Sequence, residues 1–424
     1  MAFEIRYVGS RSKNIARGVD LNQIDIINNG FLADFQRARA NLANTGNAFC
    51  NPTTAGCQAL TLFRTGSGAT QVGTGPLVVG TAIPIATFNN FLRNGTVADL
   101  AQSFVTTGLN NHPTLADPTR NPFVNFYPNP TIGQIELFTN AGSYNYNSLQ
   151  LELRRRFADG LYFQANYTFS KNLTNSVGTS QGLFEPFLQN QDPDLDKQRA
   201  DFDQTHTFNF NGIYQLPFGK GRMFLNQGGI VDKIFGGFEL SGLVQTGSGA
   251  PITFTDPRGT LNRGSGTPVL AQQRSGRQTP NSNLTNAEIR ALSGVFEANG
   301  NIYFINPSII GANGAASPGF IGTSSTNQPF AGQVFFNVAP GQTGNVARTL
   351  INGPRQFNVN AALLKNITFT ESIRIQLRME AFNLFNNVNF FNNTQFANIN
   401  SPVFGQITQA GDARQIQFAA RFEF

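Results

Sequence analysis

Tryptophan is absent from this 424-residue chain, and histidine and cysteine occur only twice each. Charged residues make up 13% of it, about half the roughly 25% of an average globular chain. Blocks rich in Ala, Leu, Glu and Lys are missing, which argues against a helix bundle. No apolar run approaches the roughly 18–20 residues that a membrane-spanning helix requires. What is present instead is phenylalanine, 41 times, beside 43 glycines and abundant asparagine. Disordered chains are poor in aromatics and rich in charge, so disorder is excluded. The composition is that of a large all-β protein with long Gly/Asn loops. Strands of only about 9–11 residues suffice to cross a bilayer, so both a β-sandwich and a transmembrane β-barrel remain open.

The formal charge of +6 is spread over 30 basic and 24 acidic residues. Its densest basic run, Arg154-Arg155-Arg156, ends a strand pattern without interleaved stacking aromatics. Nucleic-acid binding calls for a continuous basic face and is not expected. General attraction to an anionic surface such as lipid headgroups fits the charge better. Cys50 and Cys57 flank a loop-like segment containing Pro52 and Gly56. In an oxidising compartment they can close a small disulfide ring; free thiols are the alternative. A metal site lacks further ligands, because His112 and His206 lie far away in sequence.

A two-residue period dominates the chain. Leu149, Leu151 and Leu153 oppose Gln150, Glu152 and Arg154; after Asp159-Gly160, Leu161, Phe163, Ala165, Tyr167 and Phe169 oppose Tyr162, Gln164, Asn166 and Thr168. Asp-Gly between alternating runs is a strong hairpin signal. The pattern returns near 208–216, 238–245, 357–363, 373–379 and 416–424, and with Phe3, Ile5 and Tyr7 it makes eight strong strands. Their apolar phase is almost free of charge, while Glu152, Arg374, Arg378, Glu380, Arg421 and Glu423 fall on the other. Arg or Lys facing mid-bilayer lipid costs roughly 2–4 kcal/mol, so this separation suits a membrane barrel. Tyr144, Tyr146 and Phe390 near strand ends suit an aromatic girdle.

Connection lengths separate the alternatives further. The turns near 158–160, 217–235 and 366–372 are short or moderate, whereas those near 9–143, 171–203, 250–354 and 386–411 are long. In an antiparallel meander alternate connections fall on opposite sides, so every long loop lies on one side. Short periplasmic turns with long extracellular loops are the outer-membrane arrangement. The expected fold is therefore an antiparallel transmembrane β-barrel, seen in part, spanning residues 1–424.

Several blocks carry a resemblance. NYNSLQLELRRRF (145–157), GLYFQANYTFSK (160–171), FDQTHTFNFNGIYQLPFGKGR (202–222), GPRQFNVNAALLKNITF (353–369), IRIQLRMEAFNLFNNVNF (373–390) and the closing RQIQFAARFEF resemble, in order, the barrel strands of Oar-like TonB-dependent receptors. The resemblance implies an outer-membrane receptor or transporter barrel of about 22 strands with a plugged lumen. This chain matches its last third; a signal peptide, an N-terminal carboxypeptidase-regulatory-like module, a plug and a TonB box cannot be read in it. The implied partners are outer-membrane lipid and lipopolysaccharide, the barrel assembly machinery, and TonB through parts outside this chain. Phe424, the last residue of the apolar phase, resembles the terminal aromatic that outer-membrane proteins present to that machinery; the plainer reading places it in the lower aromatic girdle.

Other motifs are weaker. Asp192, Asp194 and Asp196 have the alternate spacing of a calcium loop, but Lys197 and Asp203 stand where such a loop wants glycine and glutamate. A solvated loop leading into a strand is expected there, with Asp203 and His206 organising the strand's beginning. Asp203 and His206 are also the sole local candidates for a catalytic pair, and no GxSxG, HExxH, CxxC or P-loop string occurs. No enzyme activity, metal or cofactor is expected. Gly219-Lys220-Gly221 lacks the Ser or Thr of a phosphate loop and reads as a turn. Two functions follow: a receptor or transporter barrel, or a non-transporting surface protein that binds polymers or partners through its long loops.

Overall fold

The computed structural model describes residues 1–66, 72–81, 83–106, 124–129, 132–176, 186–264, 278–317, 329–370, 373–391 and 395–424. His112 lies outside them. Eight long strands carry the architecture: β1 (Ala2–Asp20), β2 (Glu136–Ala158), β3 (Leu161–Thr174), β4 (His206–Gln215), β5 (Phe238–Gly247), β6 (Gln356–Thr368), β7 (Arg374–Phe382) and β8 (Gln415–Glu423). Each pairs antiparallel with the next in sequence, so the sheet is an uninterrupted meander. The sheet is open. Among the described residues β1 pairs only with β2, and β8 only with β7.

The register aligns the two phases across the sheet. Phe3, Leu153, Ala165, Phe210, Val244 and Val359 form one row, and Leu363, Met379 and Phe418 continue the apolar face. The next row holds Glu4, Glu152, Asn166, Asn209, Gln245 and Asn358. A one-residue slip would exchange the faces, which is why the alternation fixes the register. The apolar face is uncovered: Phe3 is 64% and Phe418 77% exposed. Large aromatics left bare in a continuous band mark a surface meant for lipid. The band is free of charge over 238–246 on β5 and 416–424 on β8, the length a tilted membrane strand needs.

Towards the short turns, two cations break the apolar phase, and both stand at its end. Lys365 lies opposite Phe238 and Leu377. Its ammonium donates to the Gly236 carbonyl oxygen and sits 4.5 Å from the Phe238 ring centre. Arg155 Nη2 donates to the Ala158 carbonyl at 3.1 Å and pairs with Asp159 at 3.2 Å. Long cationic side chains thus bury their stems and deliver the charge to the membrane edge. Asp159 and Gly160 both take positive φ (51° and 77°), the conformation a two-residue I′ hairpin requires.

All four long connections lie on one side of the sheet, as the meander demands, and the short turns lie on the other. The first is shorter than the expected 9–143, because β1 runs to Asp20 and β2 begins at Glu136. The added residues lack an apolar phase (Ser10, Arg11, Ser12 and Lys13 face Tyr146, Asn145, Tyr144 and Ser143), so periodicity could not show them. Beyond the bilayer, strands need only backbone pairing.

Where described, the first, third and fourth long connections are packed structures rather than open Gly/Asn loops. The first contains α1 (Phe31–Thr45), α2 (Ile85–Asn94) and α3 (Val97–Thr106) around a core that includes Phe31, Phe35, Phe63, Phe88, Phe104 and Phe126. Phe31 meets Phe63, Phe104 and Phe126 edge-to-face at 4.8–6.1 Å between ring centres. The buried Asp34 carboxylate accepts from the N–H groups of Thr61, Leu62 and Phe63 at 2.8–3.0 Å, tying α1 to the strand Phe63–Thr65. A second core joins the third and fourth connections through Phe254, Phe335, Phe396 and Phe404.

The lipid assignment is testable at neighbouring residues of β5. Val244→Arg, mid-band on the apolar phase, is expected to destabilise the protein in bilayers by about 2–4 kcal/mol, measured by urea titration. Gln245→Arg, on the opposite phase, should leave the midpoint nearly unchanged. Equal losses would refute the facing.

Candidate functional site

The polar face is the side that could meet solutes, because the charge-free face is committed to lipid. Two clusters of its charges are matched locally. Near β1, Arg6 pairs with Glu152 at 3.1 Å, and Gln164 donates to the same carboxylate at 3.2 Å. Near β8, Arg378 and Gln417 both reach Glu380, and Arg421 pairs with Glu423 at 3.1 Å.

Between these clusters, at the long-loop end of β4–β6, lies a pocket of about 350 Å³. Its lining includes Gln204, Thr207, Asn209, Gln245, Gln356 and Asn358, with the rings of Phe357 and Phe391. Gln356 Nε2 donates to the Phe390 carbonyl oxygen at 2.9 Å, and Asn389 Oδ1 accepts from Phe357 N–H at 2.8 Å. Each amide both donates and accepts, and none of the described lining residues is charged. Such a surface suits neutral polyhydroxyl or amide groups better than ions.

The long connections interlock above this face. Arg17 at the upper end of β1, Asp196 in the second connection and Arg348 in the third form a buried ion cluster. Asp196 Oδ2 lies 3.1 Å from Arg17 Nη2, and Oδ1 lies 3.2 Å from Arg348 Nη1. Leu188 N–H adds a 2.8 Å bond to Oδ2, and the Arg17 guanidinium stacks 4.1 Å over the Phe187 ring. Burial pushes the Asp196 carboxyl above its ordinary range, while Arg348, Arg17 and the Leu188 N–H pull it back. Further ties run from Asp99 to Arg263 and Gly259 N–H, and from Gln23 to Phe187 and Asn190.

The structure redistributes the sequence candidates. Asp196 is not in a solvated loop: it is buried, and its oxygens serve two arginines rather than a calcium ion. Asp192 and Asp194 are exposed, and no group of three or more candidate metal ligands assembles among the described residues. Asp203 accepts from Asn172 N–H at 2.8 Å and faces Arg199 at 3.6 Å, whereas His206 Nδ1 meets the Tyr167 hydroxyl at 2.8 Å. The two thus engage different partners at the start of β4. Lys220 and Gly221 donate their N–H groups to Asp232 and Asn226 within the β4–β5 turn. Cys50 and Cys57 form a disulfide with 6.0 Å between Cα atoms, at the rim of the first connection's core. Phe424 is 94% exposed, its ring 5.9 Å from that of Phe422. Arg17 and Arg348 had no signal in the sequence, because each lies over a hundred residues from Asp196.

A family model described as an outer membrane beta barrel domain matches residues 1–417. The chain belongs to that family and is a protein of the bacterial outer membrane. No curated protein and no solved structure matches it. No described helix is long and apolar enough to cross a membrane; the strands do so.

Replacing Arg17 with Met would strip one partner from the buried Asp196. Breaking such a cluster costs roughly 3–5 kcal/mol, felt here as opening of the second connection. Chymotrypsin added outside the folded protein should then cleave after Phe187 at least about tenfold faster than in wild type. An unchanged cleavage rate would show that the cluster does not hold the cap.

Proposed function

We propose that this chain is the wall of an outer-membrane receptor barrel whose lumen passes a substrate in an uptake or export cycle energised through TonB. The observation that carries the reading is the continuous polar face under an interlocked cap: neutral amides at its centre, self-compensated charges at both sides. A face of that chemistry allows a hydrophilic solute to pass without being held by a single strong ion pair. The resemblance of residues 145–424 to Oar-like receptors supports the TonB step, which requires parts beyond the strands described. A non-transporting surface protein is the second reading, favoured by the extent of folded structure in the long connections, which lie outside the cell under either reading.

Exometabolite profiling separates the two. Under the transport reading, at least one compound that wild-type cells deplete should stay in the medium of a strain lacking this chain, and equally in one lacking TonB. Normal depletion in both strains, with normal release of compounds into the medium, would refute transport and leave the surface role.

We also propose Phe424 as the signal read by the barrel assembly machinery. Its ring, almost wholly exposed at the end of β8, is free to be grasped before membrane entry. Phe424→Asp in the complete precursor should leave the protein unassembled in the periplasm. A girdle residue would behave otherwise, since an acid near the interface costs only roughly 0–1 kcal/mol. Normal yields of heat-modifiable, protease-resistant barrel would rule out the signal role.

A further inference from the structure

On the outward face, directly above the apolar band, the chemistry changes abruptly. The last apolar row runs through Tyr7, Leu149 and Phe169. The next row of that phase contains Lys171, opposite Asn147, and the one above contains Arg11, Asn145, Leu173 and Arg199. At about 3.3 Å per residue, the upper row stands roughly 13 Å along the strand beyond the hydrocarbon-facing aromatics. That is the level of lipid headgroups.

A cavity of about 720 Å³ opens there, walled by the end of β3, the strand Gln198–Arg199 and the third connection. Its lining carries Lys171, Lys197, Arg199, Arg290 and Arg348, together with the hydroxyls of Thr205, Ser293 and Thr349, and among the described residues contains no carboxylate. Asp203 faces Arg199 and Asp196 faces Arg348 from behind the wall. Lys171, Lys197 and Arg290 enter no ion pair among the described residues. Two guanidiniums are braced by neutral acceptors: Arg199 by Asn352 Oδ1 at 2.6 Å and Thr205 at 3.3 Å, Arg290 by the Leu350 carbonyl oxygen at 3.1 Å. Arg199 is held below its ordinary pKa by burial and by the nearby Arg290, against the pull of Asp203. A smaller cavity bearing Arg11 and Lys13 adjoins it, sharing Leu173 and Lys197.

We propose that this cavity is a binding site for the phosphate groups of an anionic lipid in the outer leaflet. Concentrated cations without acids are costly unless an anion completes them, and braced guanidiniums with hydroxyls are the donors that phosphate oxygens take. Placement on the lipid-facing phase, not the lumen, selects a membrane lipid over a passing solute. The inference is independent of transport.

Lys171, Lys197 and Arg290 are exposed, so changing them leaves the fold standing. Binding of fluorescent lipid A to the folded full chain in detergent provides the test. The triple variant Lys171→Gln/Lys197→Gln/Arg290→Gln should bind roughly 100-fold more weakly, from about a factor of five per cation near an anionic membrane surface. Removing three cations at the opposite end, in Arg156→Gln/Arg222→Gln/Lys233→Gln, should leave affinity within about threefold. Dephosphorylated lipid A should bind poorly to wild type, and inorganic phosphate should compete only at concentrations far above that of the lipid. Equal losses in both triple variants, or equal binding of dephosphorylated lipid, would overturn the proposal. Inorganic phosphate binding as tightly as lipid A would assign the site to a soluble anion instead and overturn the lipid reading.

Discussion

No water is available in hydrocarbon to satisfy a peptide group, so every N–H and C=O there must be hydrogen-bonded by protein. The meander answers this with the shortest connectivity available: each strand pairs with its sequence neighbour, and the six interior strands have both edges occupied. The same medium excludes charge from one phase, and Lys365 and Arg155 show how strictly. Both remain on that phase only where a backbone carbonyl or an adjacent acid receives the charge at the turn. The open sides of β1 and β8 fall under the same rule. In the membrane they require pairing, with each other or with further strands.

Above the bilayer the constraint reverses. Water satisfies loose backbone, and ordering a long connection costs conformational entropy that must be offset by burial. The chain provides it with phenylalanine. Rings such as Phe31, Phe63, Phe254 and Phe404 pack into two separate cores, which accounts for much of an aromatic content that the strands alone do not need. Polar ties then join one connection to another. Asp196 draws on Arg17 from β1 and Arg348 from the third connection, so the cap is fastened to the sheet by a charge cluster closed to solvent.

How much of this was legible follows from the same physics. Strand positions, facing and the segregation of long connections could be read because lipid imposes a two-residue period with no charge on one phase. Asp159-Gly160 was readable as a turn because few residue pairs accept two positive φ values. The upper halves of β1 and β2 were not legible, since strands standing in water carry no such period. Nor were α1–α3: their apolar residues face a local core whose partners, such as Phe63 and Phe126, lie far along the chain. Asp196 was misread because a carboxylate's burial depends on distant arginines that leave no local trace. The amide-lined pocket follows from register, which brings Asn209, Gln245 and Asn358 into one row although each alone is an ordinary strand residue.

Charge placement connects these regions. On the polar face several of the described cations and acids neutralise one another within a few ångströms, as Arg6 does with Glu152 and Arg421 with Glu423. In the cap, Arg17, Asp196 and Arg348 do so out of contact with water. At the outward rim the balance fails, for Lys171, Lys197 and Arg290 stand beside one another with no acid among the described lining residues. A lumen wall with neutral balance neither traps nor repels a solute by long-range field, whereas an unbalanced rim attracts anions at the headgroup level. With Lys365 and Arg155 at the turn end of the same phase, the apolar band is bounded by cations above and below. Moving the sheet along the membrane normal would carry one of these sets into hydrocarbon, so they fix its depth as well as its orientation.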